Sequence, residues 1–74
     1  MDRDSAWGAS ALSAAELRVL PLLTTHLPLP QIAAELSVSP HTVRTQAESV
    51  YRKLGVPSRS QAVARARQLG LLDG

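Results

Sequence analysis

The chain has 74 residues, no cysteine and a formal net charge of +2 at pH 7. This length allows one domain, which buries only about 60% of the surface that its unfolded chain would expose. The composition excludes disulfide bonds and thiolate zinc sites, and no apolar run is long enough for a membrane span or a signal peptide. We therefore expect a cytoplasmic protein with a core of leucine, valine, isoleucine and alanine side chains.

The chain begins with a segment that has no hydrophobic periodicity. Residues 1–11 are mostly small or polar, and we expect a flexible leader or linker there. Ser13 and Glu16 then form a capping-box pattern, which predicts the start of a first helix. Pro21 should kink this helix or end its regular part, because a proline cannot donate a hydrogen bond to the Leu17 carbonyl.

A second and a third helix, joined by a tight turn, are predicted within residues 30–54. Apolar side chains at helical spacing in the shorter helix are Ile32, Ala33 and Leu36. A three-residue turn follows, in which Ser39 is a good N-cap and Pro40 suits the first helical position. This order matches the helix-turn-helix plan, in which the second of the two helices enters the major groove of DNA.

The longer helix, predicted over residues 40–54, has one apolar and one polar side. At about 100° per residue, the apolar stripe consists of Val43, Ala47, Val50 and Leu54. The opposite face consists of His41, Thr45, Glu48 and Arg52, flanked by Arg44 and Ser49. Glu48 apart, this face is cationic or uncharged, which suits a polyanionic partner.

A fourth helix is predicted from Ser58 to about Leu69. Ser58 and Gln61 repeat the capping-box pattern, and Gly55 and Gly70 are suited to end the third and the fourth helix. The apolar stripe of the fourth helix consists of Ala62, Val63, Ala66 and Leu69. We therefore predict an all-α fold, a compact four-helix bundle that contains a helix-turn-helix within residues 12–72.

Positive charge is concentrated around the predicted helix-turn-helix. Residues 30–70 contain six arginine or lysine residues and two glutamates, whereas residues 1–29 contain two arginines and three acidic residues. A nucleic-acid-binding domain is expected to show such a distribution. A solvated face with mostly cationic side chains would give the same distribution, so charge alone leaves both interpretations open.

A series of short motifs in a fixed order carries a family resemblance. They are Leu12-Ser13, Glu16-Leu17, Ile32-Ala33, Leu36, Ser39-Pro40, Thr42-Val43-Arg44-Thr45, Lys53-Leu54-Gly55-Val56, Ser58-Arg59, Ala62-Val63-Ala64 and Leu69-Gly70-Leu71. The ordered set resembles the C-terminal DNA-binding domain of LuxR-type regulators, which include the NarL-like and GerE-like proteins. It covers most of the chain, and its specificity comes from the order and spacing of the motifs.

The resemblance implies sequence-specific DNA binding by a bacterial transcription regulator. It implies two-fold dimers on inverted repeats of double-stranded DNA, with dimer contacts through the fourth helix. The outward face of that helix consists of Gln61, Ala64, Arg65 and Gln68. Because this face is small and polar, the isolated domain should form only a weak homodimer. In relatives the domain follows a regulatory domain, so the chain is expected to be a fragment or a single-domain member.

The resemblance also assigns residues to DNA contacts. Arg44, Thr45 and Glu48 occupy the positions that reach base edges, and His41 on the same face is a fourth candidate. Arginine can bind guanine through two hydrogen bonds. Glu48 can accept from the N4 amine of cytosine or pair with an arginine four residues away, and both interpretations remain open. Candidate phosphate contacts, each of which could instead only aid solubility, are Ser39, Thr42, Arg52, Lys53 and Arg59.

Several residues depart from the usual family pattern. His26 stands where relatives often have a left-handed glycine, a conformation that histidine adopts at some cost. Pro28 replaces a side-chain cap, so the second helix should begin poorly capped. Gln46 replaces a frequent histidine and should be half-buried, and Tyr51 should pack against the core rather than stack on bases.

The residue pattern does not suggest catalysis, a cofactor or a metal site. The sequence has no nucleophile with a base, no glycine-rich phosphate loop and no paired-carboxylate cleft, and its two histidines lie far apart in this plan. The alternative function is a degenerate helix-turn-helix that binds another regulator or RNA polymerase. Glu48, the modest net charge and the prolines before the second helix keep this alternative open.

Overall fold

Four α-helices make up the part of the chain that the computed structural model describes, residues 12–72. They are α1 (Ala14–Leu23), α2 (Leu29–Leu36), α3 (Pro40–Leu54) and α4 (Arg59–Gln68). No residue between 12 and 72 lies in a strand. The predicted all-α fold is confirmed, whereas the predicted leader over residues 1–11 lies outside the described residues. No described helix is long and apolar enough to cross a membrane.

Helix α3 lies at the centre of the fold and packs against each of the other three helices. All four residues of its predicted apolar stripe are buried, with Val43, Ala47 and Val50 fully enclosed. The other helices, together with Leu12 just before α1, contribute the remaining buried apolar residues, which are Leu12, Val19, Leu20, Leu23, Ile32, Ala33, Ala62 and Ala66. Full burial of a side chain such as Val50 contributes about 1.5–3 kcal/mol. One side of α3 is thus held in the core, and its other side is left for solvent.

Helix α1 passes through Pro21 and ends two residues later. The Ser13 capping box is formed in both directions, as predicted. After Pro21 the helix ends through hydrogen bonds of the i to i−3 type, in which the N–H groups of Thr24 and Thr25 donate to carbonyls three residues earlier. The hydroxyls of the two threonines donate to the same carbonyls, each at 2.6 Å. The helix therefore continues for two residues past Pro21 before it ends.

The expectation of a left-handed His26 is wrong. Among residues 12–72, Ser37 is the only non-glycine residue with positive φ. The end of α1 needs no left-handed residue, because the threonine hydroxyls and the guanidinium of Arg59 bind its carbonyls. Arg59 donates to the Leu23 carbonyl at 3.0 Å and to the Thr25 carbonyl at 2.8 Å.

The turn between α2 and α3 uses a left-handed serine. Ser37 has φ 59° and ψ 41°, and the N–H of the next residue, Val38, donates to the Ala33 carbonyl at 3.0 Å. Ser39 then caps α3 as predicted, accepting from the N–H of Thr42 at 3.1 Å. At its other end α2 begins at Pro28 with no side-chain cap, also as predicted. The bonds of Val38 and Thr42 thus close the end of α2 and open α3 on either side of the turn.

Helix α4 begins and ends at the predicted serine and glycine, but the Gln61 side chain accepts from the Ser58 hydroxyl at 3.0 Å, so only the serine half of the predicted capping box is formed. Gly55, at φ 72°, ends α3, and the hydroxyl of Ser58 accepts from the N–H of Gln61 at 3.3 Å. Gly70, at φ 77°, allows the chain to turn back after α4. Leu71 and Leu72 then pack on the core.

Candidate nucleic-acid interface

The exposed side of α3 presents the predicted base-reading residues together. His41, Arg44, Thr45 and Glu48 are all exposed, and Arg52 continues the same face one turn further on. Their common direction follows from helical spacing, since Val43 and Ala47 on the opposite side of the helix are buried in the core. The result is an open surface with two arginines and one carboxylate.

At the start of α3 the two predicted hydroxyl contacts are bonded to each other. The hydroxyl of Ser39 donates to the Thr42 hydroxyl at 2.9 Å and accepts from the Thr42 N–H at 3.1 Å. Ser39 is exposed and Thr42 is half-buried. Ser39 therefore caps the helix first, with Thr42 as its partner, at the electropositive N-terminal end where an anion is favoured.

Glu48 has no partner on its own helix. The only ion pair among residues 12–72 joins Lys53 to Glu16, so the pairing of Glu48 with Arg44 or Arg52 is absent. The carboxylate is exposed on the α3 face. This leaves it available to accept a hydrogen bond from a ligand.

Two other residues of α3 lie as expected. Gln46 is half-buried, and Tyr51 is half-buried and packs against the core. Burial raises the pKa of the Tyr51 phenol, with Arg59 opposing the change and Glu48 adding to it. Tyr51 thus supports the helix and does not form an open stacking platform.

Sequence reasoning assigned Glu16 only a capping role, but its carboxylate joins α1 to α3. Oε1 accepts from the Ser13 N–H at 2.8 Å and from Lys53 Nζ at 2.9 Å, and Oε2 accepts from the Ser49 hydroxyl at 2.6 Å. Glu16 is 6% exposed, the one buried charged residue of the described range. Burial alone would raise its pKa, but the bonds from Ser49, Lys53 and Ser13 outweigh it and lower the pKa from 4.5 to about 2.

Two of the predicted phosphate-binding cations are engaged inside the protein. Lys53 donates to Glu16, and its side chain is 35% exposed. Arg59 binds the carbonyls at the end of α1, including that of Leu22 at 3.3 Å. Arg52 is exposed, and its Nη2 donates to the Ser49 hydroxyl at 3.3 Å. Arg52 is therefore the cation that the C-terminal half of α3 presents most openly.

The predicted dimer face of α4 is exposed throughout. Gln61, Ala64, Arg65 and Gln68 are all on the surface, and Arg65 Nη1 donates to Gln68 Oε1 at 3.4 Å. Two open cavities of about 310 and 450 Å³ lie between the end of α1 and α4, and no residue of α3 lines them. In the described part of the chain no three His, Cys, Asp or Glu residues cluster as metal ligands.

Residues 10–66 match the family described as bacterial regulatory proteins, luxR family. The chain belongs to this family. A LuxR-family relative, the probable transcriptional regulatory protein NarL of Mycobacterium tuberculosis, is 48% identical over 65 residues, which are 88% of this chain and 30% of that protein. The transcriptional regulator MalT of Serratia proteamaculans is 42% identical over 60 residues, 81% of this chain and 7% of that protein.

The fold of this LuxR-family chain is shared with a solved structure. The transcription factor GerE superposes with a TM-score of 0.77 and 34% identity, covering 84% of this chain and 92% of that one. The chain spans less than a third of the curated relatives it matches. It is a helix-turn-helix DNA-binding domain of a transcription regulator, and the protein-interaction alternative is not favoured.

Proposed function

We propose that the domain places α3 in the major groove of double-stranded DNA and reads a short half-site there. The supporting observation is the two-sided character of α3, whose apolar stripe is buried while five polar side chains share its open face. A helix held in this way can present its side chains to base edges with little further loss of backbone conformational freedom. An α-helix also matches the width of the major groove.

Arg44 and Glu48 are the proposed base-reading pair. Arg44 is exposed near the start of α3, where insertion into the groove is deepest for this motif, and two hydrogen bonds to guanine suit its guanidinium. Glu48 lies one turn further on and has no intrahelical cation partner. That absence favours the cytosine-accepting role over simple pairing. Thr45 and His41 complete the surface that faces the bases.

Arg52 is the proposed main phosphate contact of the C-terminal half of α3. It is exposed, whereas Lys53 is paired with Glu16 and the N–H donors of Arg59 are occupied by backbone carbonyls. Ser39 and Thr42 add contacts at the N-terminal end of the helix. Phosphate contacts of this kind orient the protein without reading sequence.

The wider assembly is also part of the proposal. The exposed α4 face is small and polar, which fits weak homodimerisation on an inverted repeat and tighter pairing only on DNA. RNA polymerase is the second proposed partner of such a cytoplasmic regulator.

Selection of binding sites from random double-stranded DNA tests the proposal. The wild type should enrich one short motif, and Arg44→Ala should lose about 1–3 kcal/mol of binding free energy with preference relaxed at one base pair. Arg18→Ala, an exposed arginine on α1, is the matched control and should leave the motif unchanged. An unchanged motif for Arg44→Ala would mean that α3 docks in another register.

Glu48→Lys separates the two interpretations of that residue in the same selection. A cytosine-accepting Glu48 predicts that non-specific affinity rises, since repulsion from phosphates is removed, while preference at the neighbouring base disappears. Higher affinity with an intact motif would leave Glu48 without a reading role. No enrichment and no gel shift at low salt would favour the protein-interaction alternative.

A further inference from the structure

The hydroxyl of Ser49 lies between a buried carboxylate and an exposed arginine. It donates to Glu16 Oε2 at 2.6 Å and accepts from Arg52 Nη2 at 3.3 Å. Ser49 itself is half-buried and Arg52 is exposed. The three side chains therefore form a hydrogen-bonded path from the core to the open face of α3.

The direction of this path is set by Glu16. A serine hydroxyl has one proton and can act as donor or acceptor, whereas an ionised carboxylate only accepts. The pKa of Glu16, at about 2, keeps it ionised at neutral pH. The Ser49 proton is thus directed inward, and its lone pairs are left for the guanidinium of Arg52.

We propose that Ser49, held by Glu16, is a positioning residue that orders the Arg52 guanidinium for a DNA phosphate. The inference rests on the proposed function, since Arg52 must contact DNA for its order to matter. A free arginine side chain loses rotamer freedom when it binds, and this loss weakens affinity. Removing the ordering bond should therefore weaken DNA binding about two- to tenfold per subunit contact.

A double-mutant cycle on the full chain tests the inference. Affinities are measured for wild type, Ser49→Ala, Arg52→Ala and the double variant on one duplex that the wild type has selected. We expect Ser49→Ala to weaken binding when Arg52 is present and to have no effect in the Arg52→Ala background. Ser49→Thr, which keeps a hydroxyl, should restore wild-type affinity. Ser60→Ala, an exposed serine of α4, is the matched control.

The possible outcomes separate this inference from the proposed function. Equal weakening by Ser49→Ala in both backgrounds would show a purely structural role and overturn the inference, as would no weakening at all. Urea unfolding of each variant at the temperature of the binding assay checks that the variant is folded under those conditions. If the wild type itself selects no DNA, the proposed function fails first and the inference with it.

Discussion

Lys53 and Glu16, 37 residues apart in the sequence, form a 2.9 Å ion pair that ties α3 to the first turn of α1. The same carboxylate oxygen completes the capping box of α1. One side chain therefore serves both the local start of a helix and the tertiary position of the proposed recognition helix. A group with this many partners should dominate the response of the domain to acid.

Acid should destabilise the domain through Glu16. The pKa of Glu16 is lowered from 4.5 to about 2 in the folded state. The contribution of its ionised form to the free energy of unfolding is therefore complete above pH 4.5 and is lost as the pH falls toward 2. The contribution is about 1–3 kcal/mol, since the half-exposed Lys53 is partly screened by solvent. Urea melts between pH 2 and 6 should show this loss for the wild type.

Glu16→Gln should give a flatter pH dependence over the same range, with lower stability at pH 6. Glu35→Gln, an exposed glutamate of α2, is the control and should follow the wild type. Parallel pH curves for Glu16→Gln and the wild type would show that other carboxylates govern acid unfolding.

The salt dependence of DNA binding should distinguish Arg52 from Lys53. Arg52→Ala should reduce the slope of log affinity against log salt by about 0.9, the value for one phosphate contact. Lys53→Met should leave the slope unchanged and lower the free energy of unfolding by about 1–3 kcal/mol, because Glu16 loses its cation. A slope reduced by Lys53→Met would show that Lys53 leaves Glu16 for the DNA backbone.

Arg59 should contribute more to the stability of the domain than to the binding of DNA phosphates. Its guanidinium donates to three carbonyls at the end of α1, and hydrogen bonds to a charged group contribute about 1.5–3 kcal/mol. Arg59→Ala should therefore lose stability in this range, measured by urea unfolding at low temperature. Arg67→Ala, an exposed arginine of the same helix, should change stability by less than about 0.5 kcal/mol. Equal effects would mean that the capping bonds contribute little.

The two left-handed positions that flank α3 should respond oppositely to substitution. Ser37→Gly should stabilise the domain by about 1 kcal/mol, because a residue with a Cβ is strained at φ 59°. Gly55→Ala should destabilise it by about 1–2 kcal/mol through backbone strain alone, since an added Cβ meets no atom within 4 Å. Thermal unfolding measures both changes in stability. If Ser37→Gly destabilises the domain, the serine side chain itself supports the turn.

The helices and their caps could be predicted from the sequence because these features depend on neighbouring residues. The serine caps at positions 13, 39 and 58 and the glycine at position 55 act within three or four residues. The apolar stripe of α3 is a consequence of helical spacing, and its burial leaves the polar residues on the open face. The proposed base-reading surface was therefore predictable as a set.

Contacts between distant residues were decided only by the tertiary structure. Whether Lys53 and Arg59 face solvent depends on how α1 packs against α3 and α4, which no local pattern records. His26 looked like a strained terminator because the guanidinium that binds the end of α1 comes from a residue more than thirty positions later. A long cationic side chain can bind a carboxylate, a carbonyl or a phosphate. The packing of α1 against α3 and α4 brings the Glu16 carboxylate to Lys53 and the carbonyls at the end of α1 to Arg59.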